Sequence, residues 1–203
     1  MQIGIFFCSY IMEIKVAIQG IQGSFHHQVA HRYFGDAIGL DECVTFRDVA
    51  YSLKNNQSDK AIMAIENSIA GAILPNYALI DSYDLHIIGE HFLDIHMNLM
   101  VLPGQTIEDI KEVHSHPIAL LQCANFFSQY PHIKLVESSD TAITAKRIQE
   151  NQLRGIGALA GPVAANIYNL EIIADGIHTV KSNKTRFVVL KASNKEIPKE
   201  LSD

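Results

Sequence analysis

Apolar and polar positions alternate through "EIKVAIQG" (residues 13–20) and the run ends in glycine, the period-two pattern of a strand. The period then changes. In "SFHHQVAHRYFG" (24–35) Phe25, Val29, Tyr33 and Phe34 fall near one helical face, with Ser24 as cap and Gly35 as stop. "TFRDVAYSLKNN" (45–56) predicts a second helix and "KAIMAIEN" (60–67) a buried strand. "LPNYALIDSYD" (74–84) predicts a helix with Pro75 in its first turn, where no hydrogen bond is lost. "HIIGEHFLDIHMNLMVL" (86–102) is strand-like throughout, with a break expected near Gly89.

After Pro103 and Gly104 the rhythm repeats. "TIEDIKEV" (106–113) predicts a short helix, "VHSHP" (113–117) a strand running into a turn, and "IALLQCANFFSQY" (118–130) a helix. "KLVESS" (134–139) predicts a strand, "TAITAKRIQEN" (141–151) a helix, "GIGALAG" (155–161) a strand and "PVAANIYN" (162–169) a helix opened by Pro162. "EIIADGI" (171–177) and "TRFVVLK" (185–191) are the last strands. Alternating strands and helices predict an α/β fold with a mostly parallel sheet, and the shared rhythm of the two halves predicts two similar α/β lobes.

Composition narrows the classes. The chain has 203 residues, 48% apolar and 19% charged, with a formal net charge of -6. It is long enough for one core or two small lobes. No basic run supports a nucleic-acid or anionic-membrane partner, and no apolar run reaches the length that spans a bilayer. The three cysteines are widely spaced, and the ten histidines form no ligand-spaced group with them, so neither a disulfide framework nor a metal site is expected. The apolar start "MQIGIFFCSYIM" lacks a basic flank and a cleavage site, so a cytoplasmic protein is expected.

Ligands of α/β sheets sit at the carboxyl ends of strands and the amino ends of helices. Four such turns carry polar or glycine residues: "QGIQGS" (19–24), "IENSIAG" (65–71), "HSHPIALLQC" (114–123) and "SSDTAITA" (138–145). Ser24, Ser68, Ser115 and Thr141 in them serve equally as caps or turn residues. "GIQGS" is too short for a dinucleotide fingerprint. A further oddity is "SNKTRFVVLK" (182–191), where Lys184, Thr185 and Arg186 stand at the mouth of a core strand.

These motifs together resemble the prephenate dehydratase family over residues 15–190. "GIQGSF" is similar to its Gly-Pro-x-Gly-Thr-Phe opening and "ENSIAG" to its Glu-Asn-Ser-x-x-Gly turn. "SHPIALLQC" is similar to Ser-His-Pro-Gln-Ala-x-x-Gln-Cys, "DTAITA" to Thr-Ala-x-x-Ala and "NKTRF" to Asn-x-Thr-Arg-Phe. Ile21 stands where the family prefers proline, Ser24 where it prefers threonine, and Ile118 where it prefers glutamine. Thr179 replaces an aspartate that often precedes the last signature.

The resemblance implies two α/β lobes like those of type II periplasmic binding proteins, with the site in the cleft. One lobe is expected over 13–92 and 185–192 and the other over 93–184. Residues 1–12 are expected to be a non-native extension, with the natural start at Met12, and 193–203 a linker-like tail. A phenylalanine-binding ACT domain is common in the family. The chain stops where that domain would begin, so insensitivity to phenylalanine is expected.

The implied reaction turns prephenate into phenylpyruvate, water and carbon dioxide. Aromatisation drives it, so no cofactor is expected. The resemblance assigns Thr185 to assist departure of the ring hydroxyl, with Glu66, Asn67 and Ser68 as catalytic companions. Arg186 is the expected carboxylate anchor, because a guanidinium matches a carboxylate with two parallel hydrogen bonds. Ser24, Phe25, Ser115, His116, Gln122, Thr141 and Asn183 complete the expected substrate site. The small molecule is the expected partner, together with further copies of the chain in a homo-oligomer. Arogenate is the alternative substrate; its amino group wants an acidic partner, which the sequence does not place. A two-lobe solute-binding protein without catalysis is the rival from another class.

Overall fold

A computed structural model describes residues 14–193. The expectations for residues 1–12, for a start at Met12 and for most of the 193–203 tail therefore lie outside the described residues. The first half contains β1 (Ile14–Gln19), α1 (Phe25–Phe34), β2 (Ile38–Cys43), α2 (Phe46–Lys54), β3 (Lys60–Asn67), β4 (Gly71–Ala72), α3 (Leu74–Ser82) and β5 (Leu85–Asp94). The second contains β6 (Asn98–Val101), β7 (Glu112–Ser115), α4 (Pro117–Gln122), α5 (Ala124–Phe127), β8 (Lys134–Glu137), α6 (Thr141–Glu150), β9 (Ile156–Ala160), α7 (Pro162–Ile167) and β10 (Glu171–Ala174). The chain ends, within the described residues, on β11 (Lys184–Ala192).

Two sheets result, with strand orders β2-β1-β3-β11-β5 and β10-β6-β9-β7-β8. This is the two-lobe α/β architecture that the resemblance implies. The sheets are mixed, however, and not mostly parallel. β1 runs parallel to β2 and β3, and β7 parallel to β8 and β9. β11 is antiparallel to both β3 and β5, and β6 to both β9 and β10. The physical reason is the connection. β6 and β11 are the first strands formed after each crossing between lobes, and each enters its sheet from the other lobe's side, without a βαβ crossover to set its direction.

Other elements differ in detail. β2 was not expected from its sequence; "IGLDEC" carries glycine and two acids, yet it pairs with β1 along its whole length. Gly89 is not a break. It lies inside β5 because the ring of Tyr33 fills the place of its missing side chain, and the irregularity opposite it is a bulge between Val189 and Leu190. The true interruption is at residues 95–97, where the chain crosses between lobes. "TIEDIKEV" forms one 3-10 turn, Ile107–Asp109, before β7 begins. The helix expected over 118–130 is divided at Cys123 into α4 and α5.

Successive residues of β11 serve opposite faces. Phe187 and Val189 join the cluster that includes Val16, Ile18, Ile62, Leu93, Ile95, Met97 and Leu99, spanning both sheets and the crossing. Val188 and Leu190 join the cluster under α2 and α3. A third cluster lies under α6 and α7. Burying Phe187 contributes about 1.5–3 kcal/mol, which fixes the strand beside the crossing. The outward and return chains are tied side by side: Ile95 N donates to Asn183 O at 2.8 Å, and Ile177 N to Met97 O at 2.8 Å. No helix among the described residues is long and apolar enough to cross a membrane.

Candidate active site in the inter-lobe cleft

A cleft of about 540 Å³ opens between the two sheets, bordered by the amino ends of α1 and α6 and by the return chain. Thr185 and Asn183 line it from the return chain, and Asn67 from the end of β3. Ser24 and Phe25 come from the start of α1, His116 and Gln122 from the two ends of α4, and Thr141 from the start of α6.

The polar groups form one chain of hydrogen bonds whose polarity is set by the backbone. Asn67 Oδ1 accepts from Ile69 N and Ala70 N, both at 3.0 Å. Its Nδ2 must therefore point the other way, donating to Asn183 Oδ1 at 2.7 Å and Thr185 Oγ1 at 2.9 Å. Asn183, with its oxygen occupied, donates through Nδ2 to Gln122 Oε1 at 3.1 Å. Two consequences follow. Thr185 receives a hydrogen bond on its oxygen, so its own proton is free for a group in the cleft. Gln122 is left with its amide N–H groups as donors. His116 Nδ1 accepts from Ile118 N at 3.3 Å, which puts the proton of a neutral ring on Nε2.

Four expected site residues are turned elsewhere. Arg186 follows Thr185 on β11, and neighbouring strand residues face opposite sides. Its Nε and Nη2 hold Glu90 Oε2 at 2.9 and 2.8 Å, its Nη1 is 3.4 Å from Glu66 Oε2, and its Cζ lies 5.9 Å from the Phe92 ring centre. The guanidinium is thus committed to two carboxylates on the far face of the sheet. Glu66 shares that face; Tyr77 donates to it at 2.6 Å, and this bond, with Arg186, holds the carboxyl below its usual range. Ser68 clasps the return chain, donating to Ser182 O at 3.1 Å and accepting from Lys184 N at 2.9 Å. Ser115 is fully buried and donates to Leu159 O at 2.7 Å, joining β7 to β9.

The cleft also contains residues that sequence reasoning missed. His26 lines it, accepts from Ala64 N at 3.3 Å through Nε2, and stands edge-on to Phe187. Burial pushes its pKa down to about 3, so it is neutral. Gln19, Thr45 and Phe46 line the first lobe's wall, and Asp140 the second's. Their signal was present, since each lies within or beside a strand-to-helix turn. Asp140, and not Thr141 as the sequence suggested, caps α6: its Oδ1 accepts from Ala142 N at 2.7 Å and Ile143 N at 3.2 Å.

The lobes are drawn together around this cleft. Tyr168 Oη donates to Gln22 O at 2.6 Å across the boundary. Gly20 adopts φ +92°, a left-handed conformation that glycine takes without strain, and a side chain there would meet Asp140 Oδ2 at 2.8 Å. Among the described residues no lysine or arginine lines the cleft. Its anion-binding capacity is therefore in N–H groups: the amino end of the ten-residue α1 and the amide of Gln122, since the amino end of α6 is taken by the Asp140 carboxylate.

Comparison with known proteins bears on this site. The prephenate dehydratase family model matches residues 16–195. A bifunctional chorismate mutase/prephenate dehydratase of Buchnera aphidicola is 32% identical over 201 residues, covering 96% of this chain and 52% of that protein. An arogenate dehydratase/prephenate dehydratase of Arabidopsis thaliana is 35% identical over 178 residues, covering 88% of this chain and 45% of that one. The crystal structure of prephenate dehydratase from Arthrobacter aurescens, in complex with L-Phe, superposes with a TM-score of 0.80 at 25% identity, covering 89% of this chain and 61% of that one. The chain spans about half the length of the curated relatives it matches.

Proposed function

This chain belongs to the prephenate dehydratase family, and from that premise we propose that its cleft converts prephenate to phenylpyruvate, water and carbon dioxide, a carbon–oxygen lyase step of L-phenylalanine biosynthesis. The bond to the ring carboxylate breaks and its electron pair enters the ring. The bond to the ring hydroxyl breaks at the opposite carbon, and the departing oxygen takes a proton to leave as water. Both events make the ring aromatic.

The single observation that carries this reading is the hydroxyl of Thr185, whose oxygen is occupied by Asn67 and whose proton is free towards the cleft. A donor aimed where negative charge develops lowers the barrier to departure without binding the ground state more tightly. An aliphatic hydroxyl is a weak acid, so Thr185 acts as a positioned donor that relays a proton from solvent to the departing oxygen. The carboxylates are held by the amino end of α1 and by Gln122. Ile118 lines the same cleft and gives no polar contact where related chains prefer an amide. Arg186, Glu66 and Ser68 act behind the wall, bracing β11, β3 and the return chain.

The same reading carries a cytoplasmic homo-oligomer working on a diffusible small molecule, without nucleic acid or membrane as partner; the net charge of -6 supports the exclusion of nucleic acid. The test is a spectrophotometric assay of the purified chain with prephenate. Appearance of phenylpyruvate above the acid-catalysed background supports the reading, whereas saturable binding without turnover favours a solute-binding lobe pair.

A further inference from the structure

Asn67 faces the cleft against the ordinary alternation of its strand. Ile62 and Ala64 of β3 share a cluster with Phe187 and Val189, whereas Met63 and Ile65 join the cluster under α2 and α3. Strict alternation would carry Glu66 towards the cleft and Asn67 away from it. The reverse is found, because β3 holds one extra residue. Phe187 pairs with Ala64 and Arg186 with Glu66, so Ile65 stands without a partner on β11. This bulge brings Asn67 to Thr185 and turns Glu66 to the far face.

Side chains hold the other edge of β3 at the bulge. There β1 pairs only as far as Ile62 and β4 begins at Glu66, which leaves Ala64 in a gap between them. Ala64 N donates to His26 Nε2 at 3.3 Å, and Ala64 O accepts from Asn76 Nδ2 at 2.7 Å. Both side chains are buried, and they come from different helices, α1 and α3. The His26 ring packs against Phe46 and Phe187, with ring centres at 5.3 and 5.0 Å. Burial keeps it neutral, so Nε2 stays an acceptor and the ring proton sits on Nδ1. Without that acceptor Ala64 would carry a buried, unpaired N–H, and the regular pairing of Ile65 with Phe187 would compete with the bulge.

Resting on the family activity proposed above, we infer that His26 is a positioning residue of the reaction: it accepts the Ala64 N–H at the bulge of β3 and so keeps Asn67 turned to the cleft, where Asn67 sets the direction of the Thr185 proton. His26 acts through Asn67 and takes no part in the bond changes.

The test measures kcat and KM for prephenate in the wild-type chain, His26→Leu, His26→Gln, Thr185→Val and the double variant His26→Leu with Thr185→Val. Leucine removes the acceptor and keeps an apolar side chain between the two rings. Glutamine offers an amide oxygen with a reach similar to that of Nε2. In His26→Leu kcat should fall about 100-fold, the scale of misplacing a reacting group by about 1 Å, with KM little changed. His26→Gln should recover most of that loss. Because the effect passes through the Thr185 hydroxyl, His26→Leu should cost little further turnover once Thr185 is valine. Where His26→Leu does not fold, His26→Asn, whose amide is too short to reach Ala64 N, takes its place. Normal kcat in the folded variant, a loss confined to KM, no recovery in His26→Gln, or the same loss repeated in the Thr185→Val background overturns the inference. If the wild-type chain turns over no prephenate, the activity reading fails by itself, and amide exchange followed by NMR decides the part of His26. Faster exchange of the Ala64 N–H and of the Asn67 side-chain amide in His26→Leu, reversed in His26→Gln, sustains it. An Asn67 amide equally protected in all three proteins overturns it.

Discussion

Asn67 Nδ2 lies 2.9 Å from Thr185 Oγ1, and the Asn67 side chain cannot turn over without giving up its bonds to Ile69 N and Ala70 N. The direction of the threonine proton is thus fixed by two backbone amides at the end of β3. Thr185→Val keeps the β-branched shape and removes the donor. Asn67 retains Asn183 as a partner, so the fold should survive. Turnover should fall by about 10²–10⁴, the usual scale of proton-transfer assistance, with KM little changed, and Thr185→Ser should recover part of it. Asn67→Asp replaces the donor by an acceptor, turns the threonine proton away from the cleft, and should imitate the loss. Normal turnover in folded Thr185→Val protein removes Thr185 from the mechanism.

Arg186 gives the opposite expectation. Its fork is occupied by Glu90 and Glu66 on the far face of the sheet. Arg186→Lys keeps a charge and loses the two-point grip on Glu90. The thermal midpoint should fall while KM for substrate stays unchanged. A KM increase without loss of stability would mean that Arg186 reaches substrate.

The contrast between these neighbours marks how far the sequence could be read. The motif "NKTRF" located the strand mouth, and the apolar run after it located the core strand. Which of Thr185 and Arg186 enters the cleft depends on the parity of the strand, and a bulge between Arg186 and Phe187 in the pairing with β3 makes that parity a property of three strands together. β2 was hidden because its acids are satisfied by tertiary partners: Asp41 Oδ2 accepts from Ser58 Oγ at 2.8 Å and also from Ser52. Asp140 itself was passed over, because the neighbouring Thr141 was read as the cap of α6. That its second oxygen faces the other lobe is set by the closure of the cleft, which no local pattern encodes.

His26 makes stability depend on pH. Its pKa is about 3 in the folded protein, from an ordinary value of 6.5, because burial penalises the charged ring. Between those values the unfolded chain binds a proton that the folded chain does not, so stability falls as pH drops from 6.5 towards 3. At pH 5 the loss from this residue is about 2 kcal/mol relative to pH 8. Urea unfolding at both pH values, in wild type and His26→Gln, measures it. The pH-dependent loss should be smaller in the variant by that amount, although His27, also pushed down by burial, adds a loss of the same sign to both. Equal slopes would show that His26 is solvated in the folded state.

Gly161 tests whether the lobes must close. It caps α7 with φ -68° and ψ 157°, ordinary extended backbone, so alanine there causes no strain. Its new methyl would instead meet the Phe25 ring of the opposite lobe at 2.8 Å. That is closer than packed carbons tolerate, and the ring is held at the start of α1 beside the cleft. The strain is relieved by parting the lobes, which leaves each lobe's own core intact. Gly161→Ala should therefore keep a near-normal thermal midpoint, enlarge the radius of gyration measured by small-angle scattering, and raise KM, because closure must now be driven by substrate binding. Saturating substrate should restore the wild-type radius. A folded variant with unchanged radius and unchanged KM would mean that Phe25 yields locally and that contact between the lobes at Gly161 is not coupled to binding.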